Sequence, residues 1–193
     1  MGLRPEAPVS TIVLMKINHV YACIDLLLER SAPGAFHNSG ERFDPPKCHP
    51  RTRTHILTKL IDWVVGKVGW DGFIKWLYGP AGAGKSAIAR TIAEMCHARH
   101  LLLASFFFSR TDPKRNNEKC LIASIAYQIT VNVPVLKDAI EAAVDRDPSI
   151  FQRSIEAQLT TLVINPLIQL SDVPARLGLK AGAWARLQKA RAY

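Results

Sequence analysis

One glycine-rich segment, residues 79–86, holds the side chains of this chain that are best suited to chemistry. Its sequence, Gly-Pro-Ala-Gly-Ala-Gly-Lys-Ser, fits the pattern G-x-x-x-x-G-K-[ST]. Glycines let the backbone curl tightly, so that successive N–H groups point into one small concave space. A lysine and a hydroxyl directly after the curl add a cation and an oxygen ligand for a divalent metal ion. This combination predicts a cradle for a chain of phosphate groups.

The predicted phosphate cradle also includes the residue that follows the segment. Its members are Gly79, Pro80, Ala81, Gly82, Ala83, Gly84, Lys85, Ser86 and Ala87. Lys85 would reach the outer phosphates, and the Ser86 hydroxyl would bind Mg²⁺. No catalytic residue is assigned from the sequence.

The flanking residues predict a strand before the cradle and a helix after it. Residues 73–78 are aromatic and β-branched, as in a strand that leads into the loop. Ile88, Ile92 and Met95 form one apolar helical stripe that runs to about Cys96. The positive N-terminal end of that helix would strengthen the attraction for phosphate. A glycine-rich surface turn, which is the alternative interpretation, requires neither element.

Strand patterns that alternate with helix patterns predict an α/β fold. Residues 101–109 form a continuous apolar run, typical of a strand covered on both faces, which places Phe106, Phe107 and Phe108 in the core. Apolar residues recur at helical spacing in four other segments, namely residues 57–64 with a stop at Gly66, 121–129, 136–144, and 155–162 before Pro166. We therefore expect a parallel sheet with flanking helices, preceded by an N-terminal helical extension.

Composition and charge limit the class of protein. The chain has 193 residues, of which 48% are hydrophobic and 21% charged, as in a packed globular protein of one domain with or without appendages. Five of its basic residues and one acidic residue lie in residues 171–193, which contribute +4 to the net charge of +9. Because no array of aromatic residues accompanies this excess, a solvated basic tail is favoured over a specific nucleic-acid site.

The cysteines and the longest apolar run favour a cytoplasmic protein without a membrane span. The four cysteines are scattered without close pairs, which suits reduced thiols, and their neighbouring histidines lack the usual spacing of zinc ligands. Residues 11–28 are interrupted by Lys16, His19 and Asp25. This pattern favours an amphipathic packing helix over a membrane span or a signal peptide.

Several further motifs accompany the glycine-rich segment, namely residues 35–53 ahead of a helix with Trp63, residues 76–86, 104–110, 125–128 and 147–150, and Gln158 with Pro166 and Leu167. Together they resemble the NACHT-type NTPases of fungal signalling proteins, which are STAND-class P-loop switches, and the nephrocystin-like N-terminal NTPase module. The resemblance implies a partial P-loop NTPase domain that binds ATP or ADP, or GTP, with Mg²⁺ through its Walker A motif. It also implies an NLR-like signalling switch that forms homo- or hetero-oligomers with NACHT proteins.

The resemblance implies a role for two residues outside the cradle, and the place of Arg110 after a predicted strand suggests a role for a third. In the family, the segment before the loop helps to enclose the base, and Thr52 and Arg53 occupy the matching place here. The alternative for these two residues is a helix cap and a surface charge. Arg110 follows the second predicted strand and would either sense phosphate or hold the polar loop after it by a salt bridge, which is favoured.

An acidic motif that the family needs for hydrolysis is missing from its expected place. A buried strand ending in aspartate should follow a segment like residues 166–170. Residues 162–165 are the nearest imitation, but they end in the amide Asn165 and run into proline. We therefore expect a chain truncated before the Walker B strand, with impaired hydrolysis, and the sequence leaves open whether it is an enzyme.

These observations divide the chain into four segments. Residues 1–34 are the helical extension, 35–70 a connector and helix, 71–170 the N-terminal half of a NACHT domain, and 171–193 a basic tail foreign to the family. The leading function is nucleotide binding, and the alternative is a non-catalytic interaction fragment that binds full-length relatives. A small nucleotide kinase is disfavoured, because the region after Thr111 offers no Asp-Arg arrangement for an acceptor lid.

Overall fold

The described structure is built from helices. A computed structural model describes residues 23–41, 47–67 and 74–169. Its α-helices are α1 (23–30), α2 (Thr54–Val65), α3 (Lys85–His97), α4 (Leu121–Asn132), α5 (Lys137–Arg146), α6 (Ile155–Leu159) and α7 (Asn165–Gln169). Single 3₁₀ segments occupy Pro33–Ala35, Pro134–Leu136 and Pro148–Gln152, and a π-helical segment, Thr160–Ile164, joins α6 to α7.

The predicted α/β fold with a parallel sheet is wrong, because residues 23–41, 47–67 and 74–169 contain no strand. Residues 74–80 and 101–109, which have strand-forming side chains, are irregular. The Phe107 N–H donates to the Ala35 carbonyl at 2.8 Å, and the Ser109 N–H donates to the Arg115 carbonyl at 2.9 Å. A strand needs a neighbouring backbone that offers a row of partners, and these single bonds to turns do not supply one.

Burial of the two predicted strands also differs from the prediction. Ile74, Trp76 and Tyr78 are each at least 80% exposed. Phe106 and Phe107 are partly buried, but Phe108 is 57% exposed and meets Phe106 edge-on with ring centroids 4.8 Å apart. The prediction that these phenylalanines lie in the core is therefore wrong, because none of the three is fully buried and Phe108 is exposed.

The predicted helices that fall on the described residues are present. Helix α2 ends at its C-cap residue Gly66, whose left-handed backbone (φ 77°) lets its N–H bond the Asp62 and Trp63 carbonyls. The helix after the cradle begins at Lys85 and ends one residue after Cys96. Their amphipathic spacing was a reliable signal, because a helix forms its backbone hydrogen bonds within its own segment.

The last helical region runs past Pro166 rather than ending before it. Proline lacks an N–H and so leaves the carbonyl of residue i−4 without a helical partner. Here the turn before it widens, and the Asn165 N–H bonds the Thr160 carbonyl five residues back. The buried Pro166 then occupies the second position of α7, and the helix continues to Gln169.

The hydrophobic core lies between α1, α4, α5 and the region from α6 to α7. Its buried members are Cys23, Leu27, Ile122, Ala126, Ile129, Leu136, Ile140, Val144, Ile150, Leu162 and Val163. Helices α2 and α3 pack against each other beside this core. Within the described ranges no helix is long and apolar enough to cross a membrane. Residues 1–22 of the predicted N-terminal extension, the predicted basic tail and the place of the predicted truncation lie outside the described residues.

Candidate functional site

The glycine-rich segment forms a tight loop in front of α3. Three of its glycines have positive φ angles, 148° at Gly79, 78° at Gly82 and 78° at Gly84. The Ala83 N–H donates to the Pro80 carbonyl at 3.3 Å, which closes the turn. Residues with a side chain rarely adopt this left-handed backbone, so the loop depends on glycine at Gly82 and Gly84. We call residues 79–86 the phosphate loop below.

Lys85 and Ser86 open α3 at the end of the phosphate loop. The Lys85 ammonium folds back over the loop and donates to the Gly79 carbonyl at 2.9 Å and to the Pro80 carbonyl at 2.8 Å. Ser86 is exposed in the first turn of α3, next to the free N–H groups of a helix N-terminus. The N-cap residue is Gly84, which has no side chain to accept a hydrogen bond from those donors.

Arg53 lies directly against the phosphate loop. Its Nη1 donates to the Ala83 carbonyl at 2.7 Å. The guanidinium covers Gly84 so closely that a Cβ placed there would lie 2.4 Å from Nη1. The structure therefore brings one of the two predicted residues before the loop into contact with it.

Thr52 does not contact the loop through its described hydrogen bonds. Its hydroxyl donates to the His49 carbonyl at 2.6 Å, and its N–H donates to the same oxygen at 3.0 Å. The N-cap of α2 is Arg53, and no side chain caps that helix. Thr52 instead closes the turn that precedes Arg53.

Helix α3 is anchored to the segments before the phosphate loop. The buried Arg90 donates to the His37 carbonyl at 2.7 Å, and its guanidinium carbon lies 4.6 Å from the centre of the Phe107 ring. The Cys48 N–H donates to the Thr91 hydroxyl at 3.1 Å. These contacts fix the helix that presents Lys85 and Ser86.

His37 joins three parts of the structure beside α3, a role that the sequence did not indicate. Its N–H donates to the Ser105 hydroxyl at 2.9 Å, and its ring centroid lies 4.7 Å from that of His97. The ring is buried, and its Nε2 has no hydrogen-bond partner among the described residues. Burial first, and then the positive charges of His97 and Arg90, lower the pKa of His37, while Glu94 acts in the opposite direction.

We expect the protein to lose stability as the pH falls below about 6.5, the ordinary pKa of histidine. In the unfolded chain His37 binds a proton there, whereas the folded chain resists protonation until its lower pKa is reached, so stability rises with pH across this window. Urea unfolding at pH values between 5 and 8 measures the effect. His37→Gln should flatten the dependence in this window, and an unchanged slope in the variant would assign the effect to other groups.

A buried arginine organises the polar loop after residue 109, and it is not the arginine that the sequence indicated. Arg110 is exposed and makes no hydrogen bond or ion pair within the described part of the chain, so the favoured salt bridge of Arg110 is wrong. Arg115 Nε donates to Asp112 Oδ2 and its Nη1 donates to the Gly34 carbonyl, each at 2.5 Å. Its Nη2 lies 3.8 Å from Glu41 Oε2. Its spacing of three residues from Asp112 was the signal that could have found it.

The thiols do not form a reactive or metal-binding cluster in the described ranges. All four cysteines are free, and no group of three or more potential ligands in those ranges could hold a metal ion. Burial, followed by a hydrogen bond to Asp145, raises the pKa of Cys23 to about 12, and burial also raises the pKa of Cys96. A thiol held in its protonated form is a poor nucleophile.

A sequence model of the family described as Nephrocystin 3, N-terminal, matches residues 58–177, which are 120 of the 193 residues. The chain belongs to this family. Membership confirms the predicted resemblance to the nephrocystin-like N-terminal module. The nephrocystin 3 match contains the phosphate loop and α3, begins after Thr52 and Arg53, and ends within the predicted tail. No curated protein and no solved structure gives a significant match.

Proposed function

We propose that this nephrocystin 3 N-terminal family member binds the phosphates of ATP or ADP, or of GTP, at residues 79–87 with Mg²⁺ at Ser86. The observation that carries the proposal is the phosphate loop itself, with its positive-φ glycines directly ahead of α3 and Lys85 folded over it. Backbone N–H groups at a helix N-terminus and an adjacent ammonium are suited to a phosphate chain. Arg53 would add a second cation at the same loop.

Family membership supports a signalling role for this nucleotide binding. We propose a NACHT-like switch whose partners are nucleotide and further copies of related chains. The four free thiols support a reducing, cytoplasmic location. Hydrolysis is not proposed, because no residue near the phosphate loop is assigned to activate water.

Lys85→Ala should weaken binding of MgATP about 10- to 100-fold. The ammonium would make charge-assisted hydrogen bonds to phosphate, and bonds of this kind contribute about 1.5–3 kcal/mol. Isothermal titration with MgATP measures the change directly. Thermal unfolding gives a second readout, since a ligand at 100 times its Kd adds about 2.7 kcal/mol to the stability of the native state.

Lys59→Ala is the matched control, because Lys59 is an exposed lysine on α2 and its loss changes the net charge equally. It should leave MgATP binding unchanged. Equal binding by the Lys85 variant and the original chain would exclude the phosphate loop as the nucleotide site. Equal weakening by both variants would assign the effect to net charge.

A further inference from the structure

We infer that Arg53 is a latch that holds the phosphate loop against α2, and that an incoming phosphate chain releases the latch. The inference rests on the proposed function and assigns a form of regulation to the same site. Nucleotide binding would then change how the start of α2 is attached to the phosphate loop.

The latch consists of one side chain and the backbone of the loop. Arg53 Nη1 donates to the Ala83 carbonyl, and the guanidinium lies over Gly84, the N-cap residue of α3. Any side chain at Gly84 would displace the Arg53 guanidinium, because a Cβ there would lie 2.5 Å or less from both of its terminal nitrogens. The cation therefore occupies the space in front of the N-terminus of α3, where a phosphate would have to lie.

The backbone before α2 holds Arg53 in this position. Arg51 and Arg53 both have left-handed backbone, with φ angles of 65° and 57°, which residues other than glycine rarely adopt. The hydrogen bonds of Thr52 to His49 close the turn between them. The Arg53 carbonyl accepts the Leu57 N–H at 3.1 Å, so the residue that contacts the loop is also the first residue of the α2 hydrogen-bond pattern.

Both cations at the loop are engaged with neutral carbonyl oxygens. Lys85 bonds those of Gly79 and Pro80, and Arg53 bonds that of Ala83. A phosphate oxygen carries negative charge and forms stronger, often bidentate, hydrogen bonds with a guanidinium. Phosphate would therefore take Arg53 away from the Ala83 carbonyl. The first turn of α2 would then lose its direct hydrogen bond to the loop backbone.

Hydrogen exchange of the amides in the first turn of α2 tests the latch. In the original chain, saturating inorganic tripolyphosphate or MgATP should speed exchange at residues 57 and 58 about fivefold, the effect expected for loss of one modest hydrogen bond. In Arg53→Ala these amides should already exchange about fivefold faster without ligand, and ligand should have no further effect. Arg51→Ala is the matched control, because it removes the same charge from a left-handed residue in the same turn.

The outcomes separate the latch from the proposed function. Identical exchange in the Arg53 variant and the original chain, or slower exchange when ligand binds, would overturn the latch. Nucleotide binding would then stand if Lys85→Ala still weakens it. If neither tripolyphosphate nor MgATP binds the original chain in calorimetry, both the proposed function and the latch fall. A change in Arg51→Ala equal to that in Arg53→Ala would also overturn the latch, because it would show an effect of charge alone.

Discussion

Leu27→Ala is expected to lower the free energy of unfolding by about 3 kcal/mol, within the range of about 2–5 kcal/mol for deleting a buried leucine side chain. Leu27 is fully buried on α1 among residues of α4 and α5. The substitution removes apolar contacts and leaves a cavity that rigid helices on several sides cannot fill. Urea unfolding followed by circular dichroism gives the free energy directly.

Leu28→Ala provides the matched control for this experiment. Leu28 is the next residue of the same helix, but it is 39% exposed, so its truncation should cost less than about 1 kcal/mol. Equal losses for the two variants would mean that α1 does not contribute to the core in the way that the structure describes. A much larger loss of stability in Leu27→Ala would confirm that α1 packs on the core through the face that carries Leu27.

Arg115→Met is expected to cost about 3 kcal/mol of stability. Arg115 is only 7% exposed, and it satisfies the buried Gly34 carbonyl as well as Asp112. A buried carbonyl that is left without its donor costs about 1–3 kcal/mol. The upper end applies here, because the variant also loses the charged bond to Asp112, whose side chain is about a quarter exposed. Chemical denaturation measures the loss.

Arg110→Met is the control for charge and for the loop. Arg110 lies in the same segment and carries the same charge, but it is exposed, so its replacement should change stability by no more than about 0.5 kcal/mol. A similar loss in both variants would contradict the described role of Arg115. Arg115→Lys should recover only part of the stability, because an ammonium cannot reproduce the separate hydrogen bonds of the guanidinium.

The helices could be predicted because their evidence is local. Leu57, Leu60, Ile61 and Val64 lie on one face of α2, and Gly66 ends it with a left-handed residue. The phosphate loop could be recognised for the same reason, since glycine spacing and the following Lys85 lie within eight residues. Local hydrogen bonds and side-chain periodicity need no knowledge of distant parts of the chain.

The sheet was predicted wrongly because strand pairing is not local. Residues 74–80 and 101–109 have the composition of strands, but a strand also needs a partner backbone, and neighbouring turns and helices supply only single bonds to the second segment. Phe108 illustrates the result, since it is apolar and yet exposed. Strand propensity describes which side chains suit a β-strand, but it does not supply the second backbone segment with which a strand must pair.

Sequence alone determined the helical periodicity, the glycine loop and the family resemblance, because each of these depends on residues close together in the chain. Only the tertiary structure decided which charges meet. The fold brings Arg53 to the Ala83 carbonyl, which is 30 residues away in the chain, and buries Arg115 against the Gly34 carbonyl, which is 81 residues away. It leaves Arg110 exposed. Contacts between distant residues depend on how the helices pack, and the order of residue types along the chain does not specify that packing in any simple pattern.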